Sequence, residues 1–512
     1  GVRPSSVLAI TFTNKAANEM KERIYDLIGS ASAHMWIGTF HSMFARILRR
    51  HAEMVGHTRR FSIIDSDDQL KMVKEATKAL GLNDKVFVPR MVLGEISRAK
   101  NDLVSVEEYA KTAGNDYRRS KIADIYKAYA ETLIRTDSMD FDDILYHAVR
   151  LFENYPDVLT YYQEQFRYIL VDEYQDTNHA QYKLILLLAK RYRNLCVVGD
   201  DDQSIYAFRG ANIRNILDFE KDFKDTETIK LETNYRSTQT ILDAANSVIS
   251  NNRKRKEKAL RTHIEHGDKL VHYCAEHHGA EAYYVINEIK RLTHSGKMKY
   301  SDIAVLYRMN ALSRTVETAL REQEIPYRVF GGQRFYERKE IKDVMAYLRL
   351  IASSADEYAF IRIINVPKRG IGDTTVDRIR TIARENDMTC LDVCRTVDFY
   401  PELARAAGKL TSFYAMIDNF RTKLEENEMS FSAFIEHVQD GSGLMDEIVQ
   451  TREKKGDTVD RVENLRELLS EAVEFENRRR NAPSTQPIDD NQENTLDTFD
   501  VEDPIYSLDL QG

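Results

Sequence analysis

Two carboxylates stand side by side at the end of an apolar run, Y-I-L-V-D-E-Y-Q-D, Tyr168–Asp176. The run before Asp172 has the composition of a buried strand. In an open parallel sheet, ligands collect beyond the carboxyl ends of the strands. One carboxylate there can hold Mg²⁺ on nucleotide phosphates, directly or through water, while the other orients and deprotonates an attacking water. The pair would equally suit the positive end of a following helix, and Asp176 reads as a structural or capping acid of that helix. A second strand end repeats the pattern in V-V-G-D-D-D-Q-S-I-Y-A-F-R-G-A, Val197–Ala211. Gln203 can hydrogen-bond an attacking water or a terminal phosphate. Tyr206, Phe208 and Arg209 offer two ring faces and a cation within four residues, the makings of a single-strand platform. Phe208 alone would also suit a core.

A third strand-to-helix turn, L-E-T-N-Y-R-S-T-Q-T-I-L from Leu231 to Leu242, carries Tyr235 and Arg236. The arginine can supply charge to a terminal phosphate and the tyrosine a face to a base, although an ordinary helix-start arginine looks the same. Two more strand ends join Thr-Phe to polar residues: I-T-F-T-N-K, with Phe12 and Asn14, and G-T-F-H-S-M, with Thr39 and His41. Hydroxyls and helix N-termini suit backbone phosphates, and a phenyl ring suits a base. The basic run Asn252–Arg261 reads as a solvated helix face. Cys390 and Cys394 are four apart with no second Cys or His pair nearby, which argues against a metal site.

The elements that must position these residues are strands alternating with helices. Val7–Phe12, M-W-I-G-T-F, Y-I-L-V-D-E, L-C-V-V-G-D and E-T-I-K-L-E read as strands, each followed by a helical period. Such alternation predicts a parallel sheet with helices on both faces. Residues 64 to about 137 read as polar helix, with S-D-D-Q-L near the start as a cap. After about residue 230 the alternation resumes, with K-L-V-H-Y-C-A, D-I-A-V-L-Y-R and Y-R-V-F-G-G as strands. From about 335 to 480 the pattern is almost wholly helical. Residues 481–512 hold eight acids, three prolines and no Lys or Arg, a composition that fits a solvated segment.

A chain of 512 residues is too long for one core. With 42% apolar and 30% charged residues it is an ordinary globular composition. A net charge of −9 leaves no global nucleic-acid footprint, so any DNA contact must be local. Four cysteines make no disulfide scaffold and point to a reducing, cytoplasmic setting. No apolar run is long enough for a membrane helix.

In order and spacing, A-I-T-F-T-N-K-A-A-N-E-M, G-T-F-H-S-M, V-D-E-Y-Q-D-T-N-H-A-Q-Y, the Val197–Ala211 stretch and the Leu231–Leu242 stretch resemble the motifs of superfamily 1 DNA helicases of the UvrD/Rep/PcrA type. The likeness continues through D-I-A-V-L-Y-R-M-N-A-L-S-R and I-I-N-V-P-K-R-G-I-G-D-T-T-V-D and covers nearly the whole chain. It implies two RecA-like parallel-sheet domains of the P-loop NTPase fold, both incomplete here, with two mainly helical insertions. The boundaries it implies are 1–63 and 138–230 for the first RecA-like domain, 64–137 for its insertion, 231–334 for the second, 335–480 for the second insertion, and 481–512 for the acidic segment. It further implies ATP as cofactor, Asp172 on Mg²⁺, Glu173 on the water, Gln203 and Arg236 at the γ-phosphate, and Tyr235 on adenine. Phe12, Asn14, Thr39, His41, Tyr206, Phe208 and Arg209 would line a single-strand path. Lys368, Gly370 and Gly372 would grip duplex backbone, where glycine lets main-chain N–H groups approach phosphates.

The implied partners are single-stranded DNA, single/double-strand junctions and repair or replication proteins, for a monomer or weak dimer without membrane attachment. The pattern departs from the family in three ways. Neither Gly296-Lys297 nor Gly408-Lys409 fits the phosphate loop G-x-x-x-x-G-K-[ST]. The family's last two motifs are not found, and Phe208 stands where such sequences usually carry Trp. The chain opens on G-V-R-P-S-S directly before a strand, so the expectation is a fragment that hydrolyses ATP poorly by itself. Two other readings are a non-catalytic DNA- or protein-binding module, and the helicase part of a RecB/AddA-type nuclease. Retention of Asp172, Glu173, Gln203 and Arg236 together argues against the module.

Overall fold

Six short strands form among the described residues: Val7–Thr11 (β1), Trp36–Thr39 (β2), Ser62–Ile63 (β3), Ser138–Met139 (β4), Tyr168–Val171 (β5) and Leu195–Val197 (β6). Four of them make one parallel sheet in the order β2-β1-β5-β6. Leu8 lies against Trp36, Ile10 against Val171, and Val171 against Val197. The computed structural model describes residues 1–252, 255–256, 258–296, 298–309, 312–329, 338–426, 429–450 and 455–481. The acidic stretch from residue 482 and most of Gly331–Lys339 lie outside the described residues, as does the side chain of Arg209. One compact unit holds Gly1–Thr226 with the described residues from Lys339 onward, and the other holds Glu227–Arg338.

Helices of the first unit begin where the sequence supplies caps. Asn14–Ile28 (α1) follows Thr13, whose side chain accepts from the Ala16 N–H. Phe40–Arg50 (α2) starts on a reciprocal box between Thr39 and Ser42. Ser66–Ala79 (α3) is capped by Asp65, which accepts from the N–H groups of Asp67 and Asp68. Then come Pro89–Asn101 (α4), Val106–Ala113 (α5), Tyr117–Arg135 (α6), Phe141–Asn154 (α7), Pro156–Gln165 (α8) and His179–Ala189 (α9). Each satisfied cap contributes about 1 kcal/mol, so these boundaries are written locally.

The sheet packs on α2, α7 and α9 around Ile10, Phe44, Leu48, Leu145, Phe152, Ile169, Val171 and Leu184. The predicted cover of both faces holds at β1 and β2 but not at β5 and β6. Ile169 and Val171 are buried while their neighbour Leu170 is 42% exposed, and Cys196 and Val198 are exposed too. An apolar run fixes a strand's composition, whereas cover on each face depends on which helix returns over it. Beside the sheet, β3 and β4 pair in parallel and close the neck of a helical insertion that leaves after Ile63 and returns at Ser138. The insertion has its own core of Val73, Ile96, Ile125, Tyr126, Tyr129 and Leu133. It is pinned at the neck by buried Lys100, whose Nζ lies 2.6 Å from Asp140 and 2.7 Å from Asp143.

From Lys339 the first unit is helical, beginning with Lys339–Ala352, Glu357–Ile363 and Asp373–Glu385 and running on to Asn481. The second unit contains the helix Gln239–Ile249, and its helices His278–His294 and Ser313–Glu322 pack around a small core of Ala282, Ile286, Ile289, Ala319, Leu320 and Ile325. The strands expected there do not pair among the described residues. Only an isolated bridge, Thr233 to Arg261, forms. Val271 is 77% and Leu306 92% exposed. An extended apolar run becomes a strand only when a neighbour takes its N–H and C=O groups, and among the described residues no such neighbour meets these runs. No helix among the described residues is long and apolar enough to cross a membrane.

Candidate functional site

The carboxyl ends of β1, β5 and β6 bring three loops together. Asp172 N–H donates to the Ile10 carbonyl at 2.8 Å, and Tyr174 N–H to that of Val198 at 3.0 Å. Between them Glu173 is held at φ 52°, in the left-handed region that side chains with a Cβ rarely adopt. Its N–H donates to Asp172 Oδ1 at 3.0 Å. Burial, opposed by that N–H and helped by the charge of Glu173, raises the Asp172 pKa from its ordinary value. A carboxylate short of counter-charge is the donor Mg²⁺ would meet, so the acid pair fits a metal–nucleotide ligand.

The acid loop is tied to the next by a residue that carried no prediction. Gln175, buried, donates from Nε2 to Glu173 Oε2 at 2.8 Å and accepts from the Asp200 N–H at 2.9 Å. Asp200 in turn accepts from Gln203 Nε2 at 2.8 Å. A hydrogen-bonded chain therefore runs Glu173–Gln175–Asp200–Gln203, passing through the Asp200 backbone N–H, and it brings the predicted base and the predicted phosphate sensor into one network. Gly199 makes the approach feasible, because a Cβ there would lie 2.5 Å from Gln175 Oε1. The signal for Gln175 was its type: one neutral donor–acceptor amide between acids. Asp200, Asp201 and Asp202 bring carboxylates within 4.8 Å of one another, but Asp200 is spent on the turn, accepting from Asp202 N–H as well as Gln203.

Asp176 does not cap the following helix. Asn178 does, in a reciprocal box with Gln181. Asp176 is instead a buried carboxyl, pushed up to about 6 by burial and by the charge of Glu173.

Aromatic rings line up over the same edge. Phe12 and Tyr206 stack at 5.3 Å between centroids, and Phe208 follows Tyr206 at 6.1 Å. Phe208 is 79% exposed, which excludes the core reading. Asn14 opens α1 two residues after Phe12. Thr39 is buried, its hydroxyl spent on the Ser42 cap. His41 packs on Phe141 at 5.0 Å, and burial lowers its pKa to about 4, so it is neutral at pH 7. Farther along the chain, Lys368, Gly370 and Gly372 are exposed together before Asp373–Glu385. Gly370 sits at φ +67°, and its carbonyl accepts from Lys409 Nζ at 2.9 Å. Tyr235 and Arg236 belong to the second unit, where both are exposed and Arg236 N–H donates to Asn234 Oδ1 at 2.9 Å.

Two family models cover almost the whole chain: the UvrD/REP helicase N-terminal domain over residues 1–224 and the UvrD-like helicase C-terminal domain over 229–500. The chain belongs to the UvrD/Rep helicase family. Among curated UvrD/Rep-type relatives, the ATP-dependent DNA helicase PcrA of Staphylococcus epidermidis is 47% identical over 476 residues, 93% of this chain and 64% of the relative. The protein of the same name from Bacillus subtilis (strain 168) is 46% identical over 475 residues, with the same coverage. The chain thus spans 64% of the length of these helicases.

Proposed function

We propose that the protein carrying this chain is an ATP-driven DNA translocase that unwinds duplex in the 3′→5′ direction, in repair or replication. The observation that carries this reading is the Phe12–Tyr206–Phe208 ring row, standing one loop away from the Glu173–Gln175–Asp200–Gln203 network. Stacked bases suit such a row without regard to sequence. Bound nucleotide would place Mg²⁺ on Asp172 and a water on Glu173, and the metal would neutralise charge on the phosphates. Gln203 and Arg236 act at the terminal phosphate, and Tyr235 offers its face to adenine. Asn14, Thr39, His41 and Arg209 complete the single-strand contacts, Thr39 through the helix start it caps and His41 as a neutral hydrogen-bonding ring. Lys368, Gly370 and Gly372 take duplex phosphates, so the partner is a single/double-strand junction.

Single-strand affinity tests the reading. Replacing Phe208 by Ala weakens oligothymidylate binding by roughly 1–3 kcal/mol, measured by fluorescence anisotropy. Unchanged affinity removes Phe208 from the path.

A further inference from the structure

The stretch Lys368-Arg369-Gly370 puts two cations side by side, yet of the two only Lys368 is exposed. Arg369 turns inward. Its Nη1 donates to the carbonyls of Ile363 at 2.9 Å and Val366 at 3.0 Å, and its Nη2 to Tyr347 Oη at 2.6 Å and the Ser442 carbonyl at 3.1 Å. Its main-chain N–H goes to Asn365 Oδ1 at 2.8 Å, which also accepts from the Ile371 N–H at 3.3 Å. Alternate N–H groups of the loop are thus spent inside, while no hydrogen bond takes the Gly370 or Gly372 N–H among the described residues. The second cation beside these groups comes from elsewhere in the chain. Lys409, exposed near the start of the helix Ala407–Glu426, donates from Nζ to the Gly370 carbonyl at 2.9 Å. A Cβ on Gly370 would lie 2.7 Å from that Nζ, so only glycine admits the ammonium there. No carboxylate pairs with Lys409 among the described residues, whereas Lys423 on the same helix pairs with Glu426 at 2.7 Å.

We infer that Lys409 is a duplex phosphate contact, the second cation of the Lys368–Gly372 loop, supplied from 39 positions beyond Gly370. The inference deepens the duplex reading above and rests on it. Of the three N–H donors of the ammonium, the Gly370 carbonyl holds one and two remain for phosphate oxygens. That carbonyl is a neutral acceptor, so it fixes the lysine without cancelling its charge. Holding a flexible side chain in place before DNA arrives lowers the entropy lost on binding. The Gly370 and Gly372 N–H groups give a phosphate its position, and Lys409 adds the counter-charge that the inward Arg369 does not. Such a contact carries no sequence information, which suits a grip on junctions of any sequence.

Salt dependence of DNA binding tests it without requiring ATP turnover. The chain is titrated, by fluorescence anisotropy at a series of salt concentrations, against a duplex with a 3′ single-strand tail and against oligothymidylate. Each duplex phosphate contact adds about 0.9 to the slope of log affinity on log salt. Lys409→Gln keeps a donor for the Gly370 carbonyl and removes the charge. It is expected to lower the junction slope by about 0.9 and to leave the oligothymidylate slope unchanged. Lys409→Arg, which keeps the charge, is expected to retain the junction slope. If Lys409→Gln matches the unmodified chain on the junction, the lysine only braces the loop and the inference fails. An equal loss in Lys409→Arg makes fit rather than charge the cause and overturns it as well. Lys368→Gln separates the two readings. If it lowers the junction slope while Lys409→Gln does not, Lys409 alone is removed from the grip. If neither variant moves the slope, the loop takes no duplex phosphates and the duplex reading fails. Circular dichroism checks that each variant keeps its fold.

Discussion

At the residue scale, Glu173 shows how one position is shaped by its surroundings. A left-handed backbone at a residue with a Cβ costs about 1–2 kcal/mol. It is held by Asp172 and Tyr174, whose N–H groups are spent on carbonyls of β1 and the end of β6. The conformation turns the carboxylate out of strand register and onto Gln175. If Glu173 is the base proposed above, Glu173→Gln in a protein that carries this chain and hydrolyses ATP is expected to keep ATP binding while lowering turnover by at least about 10²-fold. Steady-state ATPase assays with a nucleotide-binding titration check this, and near-normal turnover reassigns the role. The acid pair was legible in sequence because two carboxylates after an apolar run are chemically conspicuous. Gln175 was not, since an amide becomes informative only when both of its ends have partners, and Asp200 is 25 residues away.

Elements carry a different lesson. The start of α3 was legible to within a residue because a cap is a bond between neighbours, the cap being Asp65 just before S-D-D-Q-L. The runs of the second unit that read as strands do not pair among the described residues, since β composition states a preference and the ladder is a tertiary bond. Where an element end meets another loop, small size matters most. Gly199 follows β6, and a methyl there would sit 2.5 Å from Gln175 Oε1, 2.8 Å from Ile216 Cδ1 and 3.2 Å from the Tyr174 nitrogen. Two of those atoms belong to the acid loop, so the clash cannot be relieved by one flexible tip. Gly199→Ala is expected to destabilise the first unit by roughly 1–3 kcal/mol. Urea unfolding reads this as a lower midpoint, and an unshifted midpoint would mean the acid loop yields freely.

At the scale of the molecule, the first unit joins its α3 insertion to the helices after Lys339 largely through charge. Lys342 pairs with Asp65 at 2.9 Å, Arg349 with Asp68 at 3.2 Å, and Arg380 with Glu75 at 2.7 Å. Glu357 is the hub, meeting Arg135 at 2.7 Å, Arg384 at 3.3 Å and Arg380. Burial pushes its pKa up, but Arg380 and Arg135 outweigh burial and hold it below the ordinary 4.5. A depressed carboxyl stabilises the fold above its unfolded pKa, and that contribution is lost as pH falls through the folded value. Glu357→Gln should therefore lower stability by about 1.5–3 kcal/mol at neutral pH. Its deficit in thermal melting should shrink as pH drops below 4.5, where the unmodified chain gives up the same pairs. A deficit that stays constant with pH would show that packing, not charge, holds the contact.

What the sequence determined by itself was chemistry that depends on type and short spacing. The Asp172–Glu173 pair, Gln203, the Phe12, Tyr206 and Phe208 rings, the caps and the family's motif order are all readable from neighbours. The tertiary structure alone decided which of these meet and which face water. It stacked Phe12 on Tyr206, exposed Phe208, and made His41 neutral. It also placed Asn215 on Thr177, 38 positions away in the chain. A hydrogen bond across that separation depends on where two loops are carried by the strands beneath them, and the side chains that make it differ in no local way from those that do not.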